Sequence, residues 1–341
     1  MNTQPDSPST FSSLAPHHAA FRPVAEWPSR LRVGVAQFPM SPAESLQAFR
    51  AQLEHQVAVA ADAGCELLVL PEYLSLPLLA LGDVRAPMPE QLRGLAAHSG
   101  AVVEAVGQAA QRYGLHVLAG SLPELAAFEG SANSGERPAA GRNALAGPCL
   151  LNVATWCTPT GEFAQQAKLQ LTRWEEEQWG LSAGRGLVVL DTPLGPAAIA
   201  ICYDVEFPEL VRAAARLGCE LLLVPSYTDD PTGYWRVRLC AQARAIENQL
   251  YVLQATTCGT LPGFPWASQH WGRAGIYTPS DFGFAREGVA AIGEANVPHL
   301  VVAELDMTRL REARADGTVR PLRDAQRIPS VLTPTHCLRL G

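Results

Sequence analysis

Four absences narrow the chain before any motif is found. Eight cysteines (65, 149, 157, 202, 219, 240, 258 and 337) include no CxxC pair, and most fall inside apolar strand or helix patterns. That argues against a disulfide scaffold or a zinc centre and for a reduced, cytoplasmic protein. No run of Lys or Arg interrupts a net charge of -7, so nothing marks a nucleic-acid footprint. No apolar run reaches membrane-spanning length, and the first 30 residues lack the basic start and apolar stretch of a signal peptide. No glycine-rich phosphate loop is present. The reading is an α/β protein without membrane, nucleic acid, metal or cofactor.

What is present is a long alternation of strand and helix patterns, in a chain of 341 residues able to bury a sizeable core. Residues 1–30, rich in Ser, Pro, Ala and His, read as a flexible arm. The alternation then runs through 31–319 without a linker, as a single domain. The Pro-punctuated end, 320–341, reads as a second arm.

Leu31 to Phe38 is a buried strand. A helix follows, for which Ser41 offers a cap, Pro42 a first position and Glu44 the third residue after the cap. Gly64-Cys65-Glu66-Leu67-Leu68 opens a short apolar strand ending in Pro71-Glu72-Tyr73. Gly218-Cys219-Glu220-Leu221-Leu222 repeats it, ending in Pro225-Ser226-Tyr227, and each copy follows an Ala-rich helical stretch. The repetition suggests a pseudo-symmetric pair of sheets. Glu90 to Tyr113 is helical, closed by Gly114, and Leu115 to Ser121 is a strand. Residues 124–142 read as a surface loop. Leu150–Thr158 and Glu162–Lys168 flank Pro159-Thr160-Gly161 as a hairpin. Further on come a helix over Tyr234–Gln249, strands over Tyr251–Thr257, Gly275–Tyr277 and His299–Leu305, and a helix over Thr308–Ala315.

One stretch organises the chemistry. Pro196 to Ile201 is a small, apolar strand pattern closed by Cys202. Tyr203, Asp204 and Glu206 follow, and Pro208 opens a helix. A thiol at a strand-to-helix turn lies near free backbone N–H groups and suits a nucleophile, although a free cysteine is as readily a small buried hydrophobe. Such a thiol needs a base and a cation. None of the eight histidines stands in a recognisable Cys/His context. Glu72, at the end of a buried strand, has the surroundings that raise a carboxylate toward base strength, and Lys168 ends the hairpin among apolar neighbours. Taken singly, each also fits an ordinary role: an N-cap or salt-bridge carboxylate for Glu72, a solvated charge for Lys168.

Together the three segments, LVLPEY with Glu72, AKLQLTRWEEEQWG with Lys168 and IAICYDVEFPEL with Cys202, resemble the carbon-nitrogen hydrolase (nitrilase) superfamily in its amidase-like branch. The resemblance runs from about Leu31 to Leu310. It implies a four-layer α-β-β-α sandwich with two mixed sheets, and a Glu-Lys-Cys triad in which Glu72 is the general base, Lys168 the oxyanion stabiliser and Cys202 the nucleophile. It also implies a second glutamate after the lysine, for which the spacing points to Glu175. The activity implied is hydrolysis of a small non-peptide amide through a thioester. Tyr73, Trp174, Tyr203, Asp204, Ser226, Tyr227 and Thr228 stand beside these strand ends as substrate-facing candidates, and the Pro/Gly-rich loop Leu261–Gly272 as a cover for the mouth. Nitrile hydrolysis, acyl transfer to an amine, and a non-catalytic binding relative are the competing readings. Cys202-Tyr203-Asp204 differs from the Cys-Trp-Glu usual in nitrilases proper, and all three triad members are present. By the same resemblance the partners are a small amide and further copies of the chain, a homodimer or larger, through residues 205–217 and 320–341.

Overall fold

The computed structural model describes residues 23–126 and 149–331. The N-terminal arm up to residue 22, the expected surface loop from 127 on, Cys337 and the C-terminal arm from 332 lie outside the described residues.

Apolar runs become strands. β1 (Arg30–Met40) leads through α1 (Leu46–Asp62) to β2 (Leu67–Val69), then through α2 (Met88–Tyr113) to β3 (His116–Ala126). The hairpin β4 (Cys149–Cys157) and β5 (Phe163–Ala167) is followed by α3 (Arg173–Glu177) and a second hairpin, β6 (Val189–Thr192) and β7 (Gly195–Ile199). Then come α4 (Pro208–Arg216), β8 (Leu221–Ser226), α5 (Pro231–Asn248) and β9 (Tyr251–Thr260). The short strands β10 (Gln269–His270), β11 (Gly275–Tyr277) and β12 (Val289–Ile292) precede β13 (His299–Asp306) and α6 (Met307–Asp316).

The strands form one mixed sheet in the order β5-β4-β3-β2-β1-β9-β8-β7-β6. The two repeated Gly-Cys-Glu-Leu-Leu segments lead into β2 and β8, each one strand out from the β1–β9 junction and each parallel to its inner neighbour. The outer pairs agree too: β3 and β7 are parallel to β2 and β8, whereas β4 and β6 are antiparallel. The halves are therefore alike in strand order, and hydrogen bonds over Gln37–Met40 and Thr256–Gly259 join them.

Strand alternation divides the core. Leu67 and Val69 of β2 share one core with Leu31, Val33 and Val35 of β1 and with Leu221 and Leu223 of β8 in the other half. Leu68 and Leu70 face the opposite way, onto Phe49, Leu53 and Val57 of α1 and Val102 and Val106 of α2. At about 25 cal/mol per Å² of apolar surface, each such side chain contributes about 1.5–3 kcal/mol, so the segments that present the site stand on a firm floor.

Several expectations are corrected. α1 begins at Leu46, capped by the Ser45 hydroxyl accepting from Ala48 N at 3.0 Å; Ser41, Pro42 and Glu44 precede it, and the Ala43 amide bonds Pro77 O across to the next segment. The chain from Arg320 is not a free arm as far as it is described. Pro321–Asp324 is a short helix, and Leu322 packs against the core. β3 runs on to Ala126, so Glu124 belongs to the sheet.

Candidate active site

Four segments converge at one end of the sheet. Glu72 stands three residues beyond β2, at a point where β3 comes unusually close. Ser121 N donates to Pro71 O, and Tyr73 N donates to the Ser121 hydroxyl. Gly120 makes this approach possible: with φ at 67°, a Cβ there would sit 1.9 Å from Pro71 O. Tyr73 takes φ of 51°, a left-handed conformation costly for a residue with a side chain.

Lys168 follows directly on β5, its amide donating to Asn152 O at 2.8 Å and its carbonyl accepting from Gly184 N at 2.7 Å. It is the only lysine in the chain. Glu175 comes from α3, where it completes a capping box: the Thr172 hydroxyl accepts from Glu175 N while the Glu175 carboxylate accepts from Thr172 N at 2.8 Å. Cys202 opens a single 3-10 turn, Cys202–Glu206, between β7 and α4, with Pro208 at the first position of that helix. Its φ of 48° is again left-handed. Arg244 braces this turn from α5, donating to Val205 O and Glu206 O.

The charged atoms meet closely. Lys168 Nζ donates to Glu72 Oε1 at 2.8 Å and to both Glu175 oxygens at 2.7 and 2.8 Å, and all three side chains are about 2 % exposed. Glu72 Oε1 also accepts from Asn152 Nδ2 at 2.9 Å, and Oε2 from the Tyr227 amide at 2.9 Å. Tyr73 Oη donates to Glu175 Oε1 at 2.6 Å. Cys202 Sγ lies 3.5 Å from Tyr227 O. Residue 227 thus touches the carboxylate through its N–H and the thiol through its carbonyl.

Burial and mutual charge set the protonation states. Burial pushes Glu72 up to about 7, against the pull of the Lys168 ammonium and with the help of the Glu175 charge. Glu175 is held below the usual carboxylate range: burial alone would raise it, but the lysine, Tyr73 and the Thr172 amide outweigh that. Lys168 is also opposed by burial, yet the two carboxylates carry it well above the ordinary lysine value. The Cys202 thiol is raised well above its usual value, first by burial and then by the Glu72 charge. At neutral pH the resting cluster is therefore a neutral thiol, a locked ammonium, one firm carboxylate and one carboxylate near its midpoint. In such an arrangement a proton passed between sulfur and Glu72 would leave the total charge unchanged.

The structure brings Glu72, Lys168, Glu175 and Cys202 together and sorts the other candidates. Tyr73 is buried and spends its hydroxyl on Glu175, with its ring against Trp179 and Tyr227. Trp174 is exposed, and Tyr203 stacks edge-on to Phe207. Ser226 is buried with its hydroxyl on Val224 O, and Thr228 donates to Trp271 O. Asp204 is 1 % exposed and is turned onto backbone amides. In the loop Leu261–Gly272, His270 is buried, bonded to Thr257 and Ala267 O, and lies against the Tyr227 ring, while Trp266 meets Trp179. The loop walls the Tyr73–Tyr227 side of the site.

Sequence reasoning missed Asn152 and the Tyr227 amide. The first left a trace, a lone amide side chain inside the apolar Leu150–Thr158 strand; a backbone amide leaves none.

Residues 32–315 match the profile of the carbon-nitrogen hydrolase family. A probable hydrolase from Bacillus subtilis, YhcX, is 34% identical over 297 residues, 87% of this chain and 54% of its own, so this chain spans about half its length. The omega-amidase NIT2 of Xenopus tropicalis is 27% identical over 301 residues, covering 86% of this chain and 94% of its own. Among solved structures, the amidase from Nesterenkonia sp. AN1 carrying acrylamide added at its active site cysteine superposes with a TM-score of 0.60 at 25% identity, over 84% of this chain and 97% of that one. Among the described residues no helix is long and apolar enough to cross a membrane.

Proposed function

The chain belongs to the carbon-nitrogen hydrolase family, whose members act on C–N bonds other than peptide bonds, and from that premise we propose that it hydrolyses a small amide through a thioester on Cys202. The observation that carries the reading is the Lys168 ammonium held between Glu72 and Glu175 in a dry site beside a neutral thiol.

Attack by a neutral thiol needs a proton acceptor within reach. Glu72 takes the sulfur's proton as the C–S bond forms, and the total charge of the cluster does not change. Lys168 and the Tyr203 backbone N–H receive the oxygen that becomes negative. Glu72 returns the proton to the departing nitrogen, ammonia or an amine leaves, and a thioester remains. Water gives its proton to Glu72, attacks the thioester, and releases the acid and the thiol. A carboxylate raised to about 7 suits both directions of transfer. Glu175 keeps Lys168 charged without titrating itself. The family's four-layer α-β-β-α arrangement is the reading we give to the sheet, supported by β1 and β2 side chains packing with those of β8 and β9. A single domain over 31–319, against which the short helix Pro321–Asp324 packs, assembly into a homodimer or larger oligomer, and a cytoplasmic location complete the proposal.

Ammonia release is measured from acetamide, propionamide, succinamate and N-carbamoylglycine, with propionitrile alongside, for wild type and Cys202→Ala. The expected result is turnover of at least one amide in preference to the nitrile, lost in the variant, with an acyl mass increment on Cys202 in the wild type. Equal rates for the two proteins would refute the reading.

A further inference from the structure

Asp204 stands two residues after the thiol and is almost wholly buried, yet no cation touches it among the described residues. Its carboxylate is spent on three backbone amides. Oδ1 accepts from Gln170 N at 2.7 Å and from Leu169 N at 3.2 Å; Oδ2 accepts from Ile201 N at 3.1 Å and from Leu169 N at 3.3 Å. Leu169 and Gln170 directly follow the lysine, and Ile201 directly precedes the cysteine. One side chain therefore fastens together the two backbone segments that carry Lys168 and Cys202, which lie far apart in sequence and whose own strands, β5 and β7, are not neighbours in the sheet.

We propose that Asp204 is a positioning residue: it fixes the Lys168 ammonium relative to the Cys202 thiol by clamping the backbone after the one to the backbone before the other. The proposal rests on the amide hydrolysis argued above. Lys168 hangs on a four-carbon side chain, so its ammonium goes where its backbone and its carboxylate partners put it. Glu72 and Glu175 grip the ammonium end, and Asp204 grips the segment just past the Cα end. Burial raises the Asp204 carboxyl to about 6, against the Lys168 charge and the amides, so at neutral pH it is ionised and accepts from all three N–H groups. The geometry of a 3-10 turn, three residues per revolution, explains why residue 204 points inward while Cys202 faces the site.

The test uses Asp204→Asn and Asp204→Ala with the amide that wild type turns over fastest. Asn keeps one oxygen for the 169–170 amides but sets an NH₂ group against the Ile201 amide; Ala releases both sides. Displacement of a reacting group by about 1 Å costs on the order of 100-fold, so kcat is expected to fall by about that factor, with KM within about threefold of wild type. Because the chain has a single lysine, a ¹⁵N-lysine label gives one Nζ signal, and that signal is expected to move in both variants. Wild-type kcat, a rise in KM at unchanged kcat, or an unmoved Nζ signal overturns the proposal; the second would make Asp204 a substrate contact. Loss of folding in both variants overturns it as well, by reducing Asp204 to a residue that holds the fold. Cys202→Ala separates the two claims: if it keeps the wild-type rate, the amidase reading itself has failed, whereas an inactive C202A beside a fully active D204N sinks only the clamp.

Discussion

Glu175→Gln isolates the electrostatic argument, because Gln preserves the size of the side chain and can still close the capping box with Thr172. In the wild type both carboxylates bond one ammonium, at 2.8 and 2.7 Å, so their charged oxygens lie within about 5.5 Å of each other. At an effective dielectric near 20, unit charges so spaced repel by about 3 kcal/mol, equivalent to about two pH units in the titration of Glu72. Removing the Glu175 charge leaves the Lys168 ammonium to act on Glu72 unopposed, so its pKa falls from about 7. A base must be deprotonated to act, so activity rises with pH through the pKa of Glu72. The acid limb of kcat/KM is therefore expected to move down by about two pH units in the variant. The plateau rate falls by about 10- to 100-fold, because a weaker base takes the thiol proton less readily. The assay is ammonia release from the best amide between pH 4 and 9, with a melting curve at each pH to confirm folding. An acid limb that stays at its wild-type position while the rate falls would refute the assignment of Glu72 as a base tuned by Glu175.

Asn152→Ala should move the same limb the other way: it removes the donor that stabilises the Glu72 anion at 2.9 Å, so the pKa rises and the limb shifts up by about one pH unit, and a downward shift would count against the Asn152–Glu72 contact. His270 is lowered by burial to about 4. Between about pH 6.5 and 4 the unfolded chain therefore takes a proton that the folded one refuses, and stability falls as pH falls, by about 3 kcal/mol in total. Read as the difference between wild-type and His270→Gln melting curves, this acid-side loss is expected only with the histidine present; parallel curves would contradict it.

How much was legible varied with the physics of each feature. Long apolar runs such as Leu31–Phe38 and Pro196–Ile201 declared buried strands because few other structures absorb them, and Gly114 and Pro208 marked helix ends for local steric reasons. The short strands Val189–Thr192 and Val289–Ile292 were missed because edge strands of mixed polarity carry little periodic signal. The start of α1 was misread because Ser41 and Ser45 both offer caps, and only the Ala43–Pro77 contact decides between them. Glu72, Lys168 and Cys202 could be named because each closes a distinctive segment. Asp204 was named a substrate-facing candidate from its adjacency to the thiol, and no sequence signal announced that its carboxylate accepts from the Gln170 and Ile201 amides.

A chain with one lysine, and that one sealed beneath its partners, offers solvent no ε-amine anywhere. Were Cys202 to carry the proposed thioester, the one side-chain amine beside it could not capture the acyl group by mistake, since Lys168 is held protonated and so is not nucleophilic. Succinimidyl esters will therefore find no lysine ε-amine to acylate on the folded surface of the described residues.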